Sequence, residues 1–361
     1  MLRLQYFSLF FLFTCCLPQP DSSPVTSQEL DIYFIDVEGG QATLIVTPNG
    51  ESMLVDSGYP GFEGRDTQRI MEALALAGLE KLDYMLITHY HGDHVGAVPE
   101  LVKRVSIETF IDHGPNQEDQ PNPKKIYEDY VEIRNKVNHI EAKPGDRLPL
   151  KGTEIVVLTA AGNALASPLE GAGDGNPLCV STDLKDDDPT ENARSLGFLL
   201  KFGDFSFINL GDLTWNKELE LACPRNLVGE VDVYLSTHHG LPSSGPAALV
   251  HALRPRVAIM NNGSEKGGSP EAWKVMTTVP GFEDLWQLHY SLAGGDEYNS
   301  SEPYLANLEV APEDVLASDH KGHWIHLSAK KDGSFTITNS RNNFSKTYGV
   351  QTEKSQAKTA L

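Results

Sequence analysis

The chain has 361 residues, enough for one large domain or two ordinary ones. With 40% hydrophobic and 22% charged residues and no fixed-period repeat, it reads as a globular protein rather than a disordered chain or a solenoid. A formal charge of −21 argues against extended nucleic-acid binding, which depends on Lys and Arg displacing counterions from phosphate.

The chain opens with Arg3, an apolar stretch at 4–17 and a polar turn at 18–24. That pattern predicts a secretory signal peptide over 1–20, or a lipoprotein-type signal with Cys15 or Cys16 as the anchor, although Leu12-Phe13-Thr14 suits lipidation poorly. The stretch is short for a membrane span and no second one follows, so the mature chain is expected to carry no transmembrane domain. The expected location is periplasmic or extracellular. Cys179 and Cys223 remain after the signal; in an oxidising compartment they are either a disulfide or two separate thiols.

From residue 30 apolar runs alternate with amphipathic stretches. Strands are predicted at 31–37, 41–47 and 52–56, a helix at 67–77, a strand at 82–87, a short helix at 94–104, a strand at 106–111, a helix at 127–137 and a strand at 153–158. Residues 162–191, rich in Gly, Asp, Pro and Ser, predict a long surface loop, either a lid or an idle insertion. Strands at 195–202 and 205–210 turn at Gly203-Asp204. Strands at 231–237, 256–261 and 286–290 then alternate with helices near 215–222, 246–253 and 270–278. A last pair at 323–329 and 334–339 precedes a polar tail. Hairpins early and strand–helix alternation later predict a mixed α/β sandwich over 30–340, with a tail at 341–361.

The chemistry concentrates at Thr88–His94, T-H-Y-H-G-D-H, directly after an apolar strand. His89 and His91 lie two apart, so on extended backbone both rings face one way and share an ion. Asp93 and His94, beyond the turn at Gly92, serve a second. Imidazole and carboxylate suit Zn²⁺, with Mn²⁺ or Fe as alternatives.

This motif resembles the metallo-β-lactamase superfamily. Asp56 in L-V-D-S-G, Asp212 in F-I-N-L-G-D and His238 in S-T-H-H-G resemble the family's other motifs, in the same order. The resemblance implies a four-layer αβ/βα sandwich of two mixed sheets with outer helices. It also implies a brace at Asp56, a bridging ligand at Asp212 and a last ligand at His238. D-V-E-G-G-Q-A-T-L-I, E-N-A-R-S-L and H-H-G-L-P-S-S are similar to the branch of competence-protein (ComEC-type) hydrolase domains and choline-phosphate esterases. In that branch, as here, an asparagine (Asn192) replaces the third histidine of the first ion; His113 is a candidate to fill the gap. Of the adjacent histidines, His238 is expected to bind metal, and His239 to contact substrate or donate a proton.

The expected activity is therefore that of an exported binuclear hydrolase. A hydroxide bridging two divalent ions, oriented by Asp93 and Asp212, would attack a phosphodiester or phosphorylated small molecule of the cell envelope. The alternatives are a lactone or β-lactam-type hydrolase, a di-iron redox protein and a metal-free binding protein.

Overall fold

The computed structural model describes residues 28–308 and 322–351. The expected signal peptide lies outside the described residues. Two mixed sheets stack face to face. The first takes β1 (Leu30–Phe34), β2 (Thr43–Val46), β3 (Ser52–Val55), β4 (Lys81–Leu86), β5 (Ser106–Asp112) and β6 (Asn138–Glu141). The second takes β7 (Arg147–Leu148), β8 (Glu154–Ala160), β9 (Asn163–Ala164), β10 (Gly197–Phe202), β11 (Phe205–Asn209), β12 (Val233–Leu235), β13 (Val257–Met260), β14 (Asp284–His289) and β15 (Leu305–Asn307). The chain then returns to the first sheet with β16 (Ile325–Ala329), β17 (Phe335–Asn339) and β18 (Ser345–Tyr348). The orders are β18-β17-β16-β1-β2-β3-β4-β5-β6 and β15-β14-β13-β12-β11-β10-β8-β7, with β9 beside β8.

The facing sheet surfaces are apolar because alternate residues of each strand point inward. Phe34, Phe198 and Phe207 meet edge to face between the sheets, with centroids 5.8 and 6.3 Å apart. Each such fully buried ring stabilises the fold by roughly 1.5–3 kcal/mol. Helix α1 (Arg65–Leu76) seals the outer face of the first sheet by burying Ile70, Ala73 and Leu74 against Leu54, Leu82 and Met85. Short turns α2 (Gly92–Val95) and α3 (Val98–Leu101) and helix α4 (Pro121–Arg134) follow. Helices α5 (Trp215–Ala222), α6 (Ala247–Leu253) and α7 (Pro270–Thr277) cover the second sheet through residues such as Leu221, Leu249 and Met276. The result is the expected four-layer αβ/βα sandwich.

Three expectations are corrected. The helix predicted at 94–104 is two separate turns, α2 and α3. A side chain at Gly96, between them, would meet Gly92 O at 2.1 Å and Pro60 Cδ at 2.3 Å. The polar tail does not begin at 341, because β18 pairs with β17 and Tyr348 is buried; its hydroxyl donates to Asp284 and accepts from Trp286 Nε1. The long loop is not free. Cys179 and Cys223 form a disulfide across 44 residues, and Gly175 bridges to Arg225. Farther along, Asn216 donates to Asp187 and Lys185 O, and the Lys185 ammonium stacks over Trp215 at 3.6 Å. In the chain-entropy description such a cross-link stabilises by about 4 kcal/mol.

Parallel pairing of β3-β4-β5 and β11-β12-β13-β14 sends the loops after these strands to the carboxyl edges of their sheets, where ligands bind in open α/β sheets. Asp56, Thr88–His94, His113, Asp212, His238–His239 and Lys266 all lie on those loops.

Candidate metal centre

After β4 the chain leaves its strand at Thr88, which is fixed by Asp56: Thr88 N donates to Oδ1 at 2.8 Å and Thr88 Oγ1 to Oδ2 at 2.7 Å. Asp56 Oδ2 also lies 2.8 Å from His94 Nδ1. That bond fixes the ring so that Nε2 faces away from the brace, the arrangement by which a carboxylate orients a metal-binding imidazole. From the other sheet, Asp212 enters after Gly211. Glycine is required there, because φ is 58° and a side chain's Cβ would stand 2.9 Å from Thr88 Cβ. His238 N donates to Gly211 O, and Asp212 N to Ser195 Oγ, so three loops of the second sheet interlock.

Four donors then converge. His94 Nε2 lies 3.2 Å from both Asp93 Oδ2 and Asp212 Oδ2. His239 Nε2 lies 3.4 Å from Asp93 Oδ2 and 3.2 Å from Asp212 Oδ2. Two ligands on one ion at about 2.0–2.1 Å and a tetrahedral angle stand about 3.3 Å apart, which is this spacing. His94 Nε2, His239 Nε2, Asp212 Oδ1 and the nearby His89 Nε2 are buried without a hydrogen-bond partner, a costly condition that a cation relieves. Burial pushes the Asp212 and Asp93 carboxyls up, but the surrounding histidines outweigh it and hold both well below the usual carboxylate range. Burial likewise disfavours charge on His94, yet Asp212, Asp93 and Asp56 raise it well above an ordinary histidine. The ligand atoms of Asp93, His94, Asp212 and His239 all lie within 4.8 Å of one another, a grouping that fits a divalent cation.

Residues 35–181 match the family model described as Metallo-beta-lactamase superfamily. The chain's resemblance is to that superfamily. Among curated relatives, a UPF0173 protein of Pyrococcus abyssi is 28% identical over 240 residues, covering 65% of this chain and 86% of that one. ComE operon protein 3 of Bacillus subtilis is 24% identical over 255 residues, covering 66% of this chain but only 29% of that protein. Among solved structures, the metallo-beta-lactamase fold protein YhfI of Bacillus subtilis aligns with a TM-score of 0.45 at 12% identity, over 71% of this chain and 95% of that one.

Of the two adjacent histidines, it is His239 rather than the expected His238 that lies with Asp93, His94 and Asp212. Both have positive φ, 53° at His238 and 56° at His239, so the rings are not arranged as on an extended strand. His239 is fully buried, and its Nδ1 lies 3.2 Å from Asn261 O, which aims Nε2 into the cluster. His238 stays at the rim. Its Nδ1 lies 3.1 Å from Ser243 Oγ and 3.2 Å from Ser244 Oγ, and its Nε2 stands 3.5 Å from Asp212. Gly267, at φ 82°, lets its loop close on His239, where a side chain would meet His239 O at 2.1 Å.

His89 and His91 face each other edge on, with centroids 4.7 Å apart, and His89 Nε2 is 3.9 Å from Asp212 Oδ2. His113 does not join them. It is buried against Tyr90, and its Nε2 pairs with Glu191 Oε2 at 2.9 Å. Asn192, on the turn Glu191–Arg194, has a buried Oδ1 without a hydrogen-bond partner.

Sequence reasoning missed Lys266. Its ammonium donates to Asp93 Oδ2 and lies 3.4 Å from Tyr59 Oη; at 32% side-chain exposure it is the cluster's most solvent-accessible cation. A lone lysine in S-E-K-G-G gives no motif signal; only the fold brings it to Asp93. A second acid–histidine group, Asp36, Glu38 and His289, is already neutralised by Arg69, 2.7 Å from Asp36 and 3.0 Å from Glu38. Its burial and the neighbouring Asp36 push Glu38 up to about 7.

Beneath the histidine loop, Glu218 is buried and accepts from Gly245 N at 2.6 Å. Burial pushes its carboxyl up to about 8. The folded state therefore keeps a proton that the unfolded chain has lost, and stability falls as pH rises from about 4.5 to 8. Glu218→Gln stays neutral throughout. Its melting temperature should gain on wild type between pH 5 and pH 8, with an upper figure of about 3 kcal/mol at pH 7. Parallel melts with equal offsets at both pH values would remove this assignment.

Proposed function

We propose that the chain is an exported, binuclear metal-dependent hydrolase acting on a phosphodiester or phosphorylated small molecule. The observation that carries the reading is the convergence of His94, His239 and Asp93 on one carboxylate, Asp212, with the Lys266 ammonium on the accessible side. Asp93, His94, Asp212 and His239 would hold one ion, and His89 and His91 with Asp212 the other; Zn²⁺ suits such donors best. Bound divalent ions supply Lewis acidity and lower the pKa of water towards neutrality. The chain's own groups do the rest. Lys266 binds an anionic oxygen of the substrate. His238, fixed by two serine hydroxyls at the rim, carries a proton to the leaving group at Nε2.

A phosphoryl substrate is supported by the lysine and by the motifs D-V-E-G-G-Q, E-N-A-R-S-L and H-H-G-L-P-S-S, which resemble the branch with phosphodiester chemistry. Export is supported by the apolar amino-terminal stretch and by the Cys179–Cys223 disulfide, because disulfides persist in oxidising compartments. Among the described residues no helix is long and apolar enough to cross a membrane.

A panel of a chromogenic phosphodiester, a lactone and a cephalosporin tests the bond type. The phosphodiester should be turned over fastest. Turnover of the lactone or cephalosporin alone would overturn the phosphoryl reading. Lys266→Ala should cost roughly 10–100-fold in kcat/KM, mostly through KM, as loss of one charge-assisted hydrogen bond implies. Lys266→Arg should recover part of it. An unchanged KM in Lys266→Ala would remove the lysine from substrate binding.

A further inference from the structure

Between the Asp56 brace and α1 the chain follows a costly path. Gly58, Gly61 and Gly64 have positive φ, which glycine accepts, but so do Phe62 at 46° and Glu63 at 53°. For a bulky side chain this left-handed conformation is strained. Phe62 is also 39% exposed, so its ring recovers little of that cost by burial. The path persists because its backbone is clamped: Tyr59 N donates to Asp66 Oδ2 at 2.8 Å, and Gly61 N to Glu100 Oε1 at 3.3 Å. Strain held in place in this way, beside a functional centre, points to a role for the side chains it presents.

Tyr59 stands at the inner end of this loop. The Lys266 ammonium lies over its ring, 5.7 Å from the centroid, and donates to Oη at 3.4 Å. Besides Lys266, the charged groups acting on the phenol are Asp93 and His94 of the metal centre. Oη accepts from Lys266, and its own proton finds no acceptor among the described residues. Burial pushes the phenol up, so that proton is present at neutral pH. Two donors 3.4 Å apart can both reach a single oxygen at about 2.8–2.9 Å. Phe62 stands at the outer end, edge on to Tyr59 with ring centroids 6.2 Å apart. Arg65 covers one of its faces at 4.6 Å. The exposed part of the Phe62 ring is thus separated from Lys266 by the width of one tyrosine.

We propose that Tyr59 and Phe62 form a substrate subsite. The Tyr59 hydroxyl joins Lys266 on one anionic phosphoryl oxygen, and the Phe62 ring packs against an aromatic ester group of the same substrate. The proposal rests on the phosphoryl reading above and names the class of substrate: a phosphoester carrying a flat, unsaturated group. An aromatic group suits the place because ring–ring contacts add to simple area burial. The loop that carries both residues is rigidly held, so the distance from oxygen donor to ring is set before the substrate arrives, which lowers the cost of binding.

The test reads binding rather than turnover. Metal-loaded full-length chain is titrated by calorimetry with phenylphosphonate and with methylphosphonate, which share the phosphoryl group and differ in the ring. Wild type should bind phenylphosphonate roughly 3–10-fold more tightly, as one ring–ring contact implies. Phe62→Gly should abolish that preference and leave methylphosphonate binding unchanged. Its melting temperature should be no lower than wild type, because glycine accepts the left-handed backbone. Tyr59→Phe keeps the ring and loses the donor; it should weaken both phosphonates roughly tenfold and keep the preference. A wild type without the preference, or a preference that survives Phe62→Gly, would overturn the proposal. So would wild-type methylphosphonate binding in Tyr59→Phe. A Phe62→Gly chain that melts well below wild type would make the ring a structural prop and overturn it as well. Phosphodiester turnover without a ring preference would sink the subsite alone, whereas turnover of the lactone alone would sink the phosphoryl reading, so the two failures are distinct.

Discussion

Asp212→Ala is expected to lower kcat/KM by about three powers of ten or more while the chain still folds. Four imidazoles face Asp212 Oδ2: His94 and His239 at 3.2 Å, His238 at 3.5 Å and His89 at 3.9 Å. Removing it takes away the shared ligand and leaves the imidazoles without the charge that concentrates cations there. Charge stabilisation by bound ions amounts to several kcal/mol, and about 4 kcal/mol corresponds to roughly three powers of ten in rate. The fold should survive, because the residue lies on a loop at the sheet edge and the core between the sheets does not use it. Steady-state kinetics, metal content and a thermal melt check the result together. A variant with wild-type turnover would remove Asp212 from the centre.

The second large effect separates two neighbours. His239→Ala should lose the second-site ion, with affinity falling roughly 100-fold or more and turnover with it. His238→Ala should keep both ions and lose about tenfold in kcat, the scale of a lost proton carrier whose place water partly takes. The asymmetry follows from burial and aim: His239 is fully buried with Nδ1 on Asn261 O, whereas His238 sits at the rim between Ser243 and Ser244. Metal analysis of the two purified variants decides it. Loss of an ion on replacing His238, with both retained on replacing His239, would reverse the assignment.

The contrast shows what was legible in the sequence. T-H-Y-H-G-D-H could be read because its donors are neighbours in the chain, and local spacing alone limits where they can point. Asp56, Asp212 and the histidine pair are legible only through their resemblance to the superfamily's other motifs. The choice between His238 and His239 could not be read, because it turns on two left-handed backbone conformations that nothing in T-H-H-G announces. Lys266 is a single charged residue in a loop 173 positions away from the carboxylate it touches; only the packing of the sheets brings it in.

The same logic governs the elements. Strands β1, β3, β10 and β11 bury most or all of their residues and stand out as apolar runs. Strand β6, N-H-I-E, is an edge strand with no fully buried residue, so it shows no alternation, and β15 is only three residues long. Helix α4 begins at Pro121, before its apolar face starts. Proline is well suited to a first helical turn, and that is the signal that would have placed the start correctly.

The most direct test of the central claim is an anomalous-scattering map from crystals of the metal-loaded protein, recorded on both sides of the absorption edge of the bound ion. The account predicts a peak within about 2.0–2.2 Å of Asp93 Oδ2, His94 Nε2, Asp212 Oδ2 and His239 Nε2. A map without density among those four atoms, from protein shown to contain the metal in solution, would contradict it.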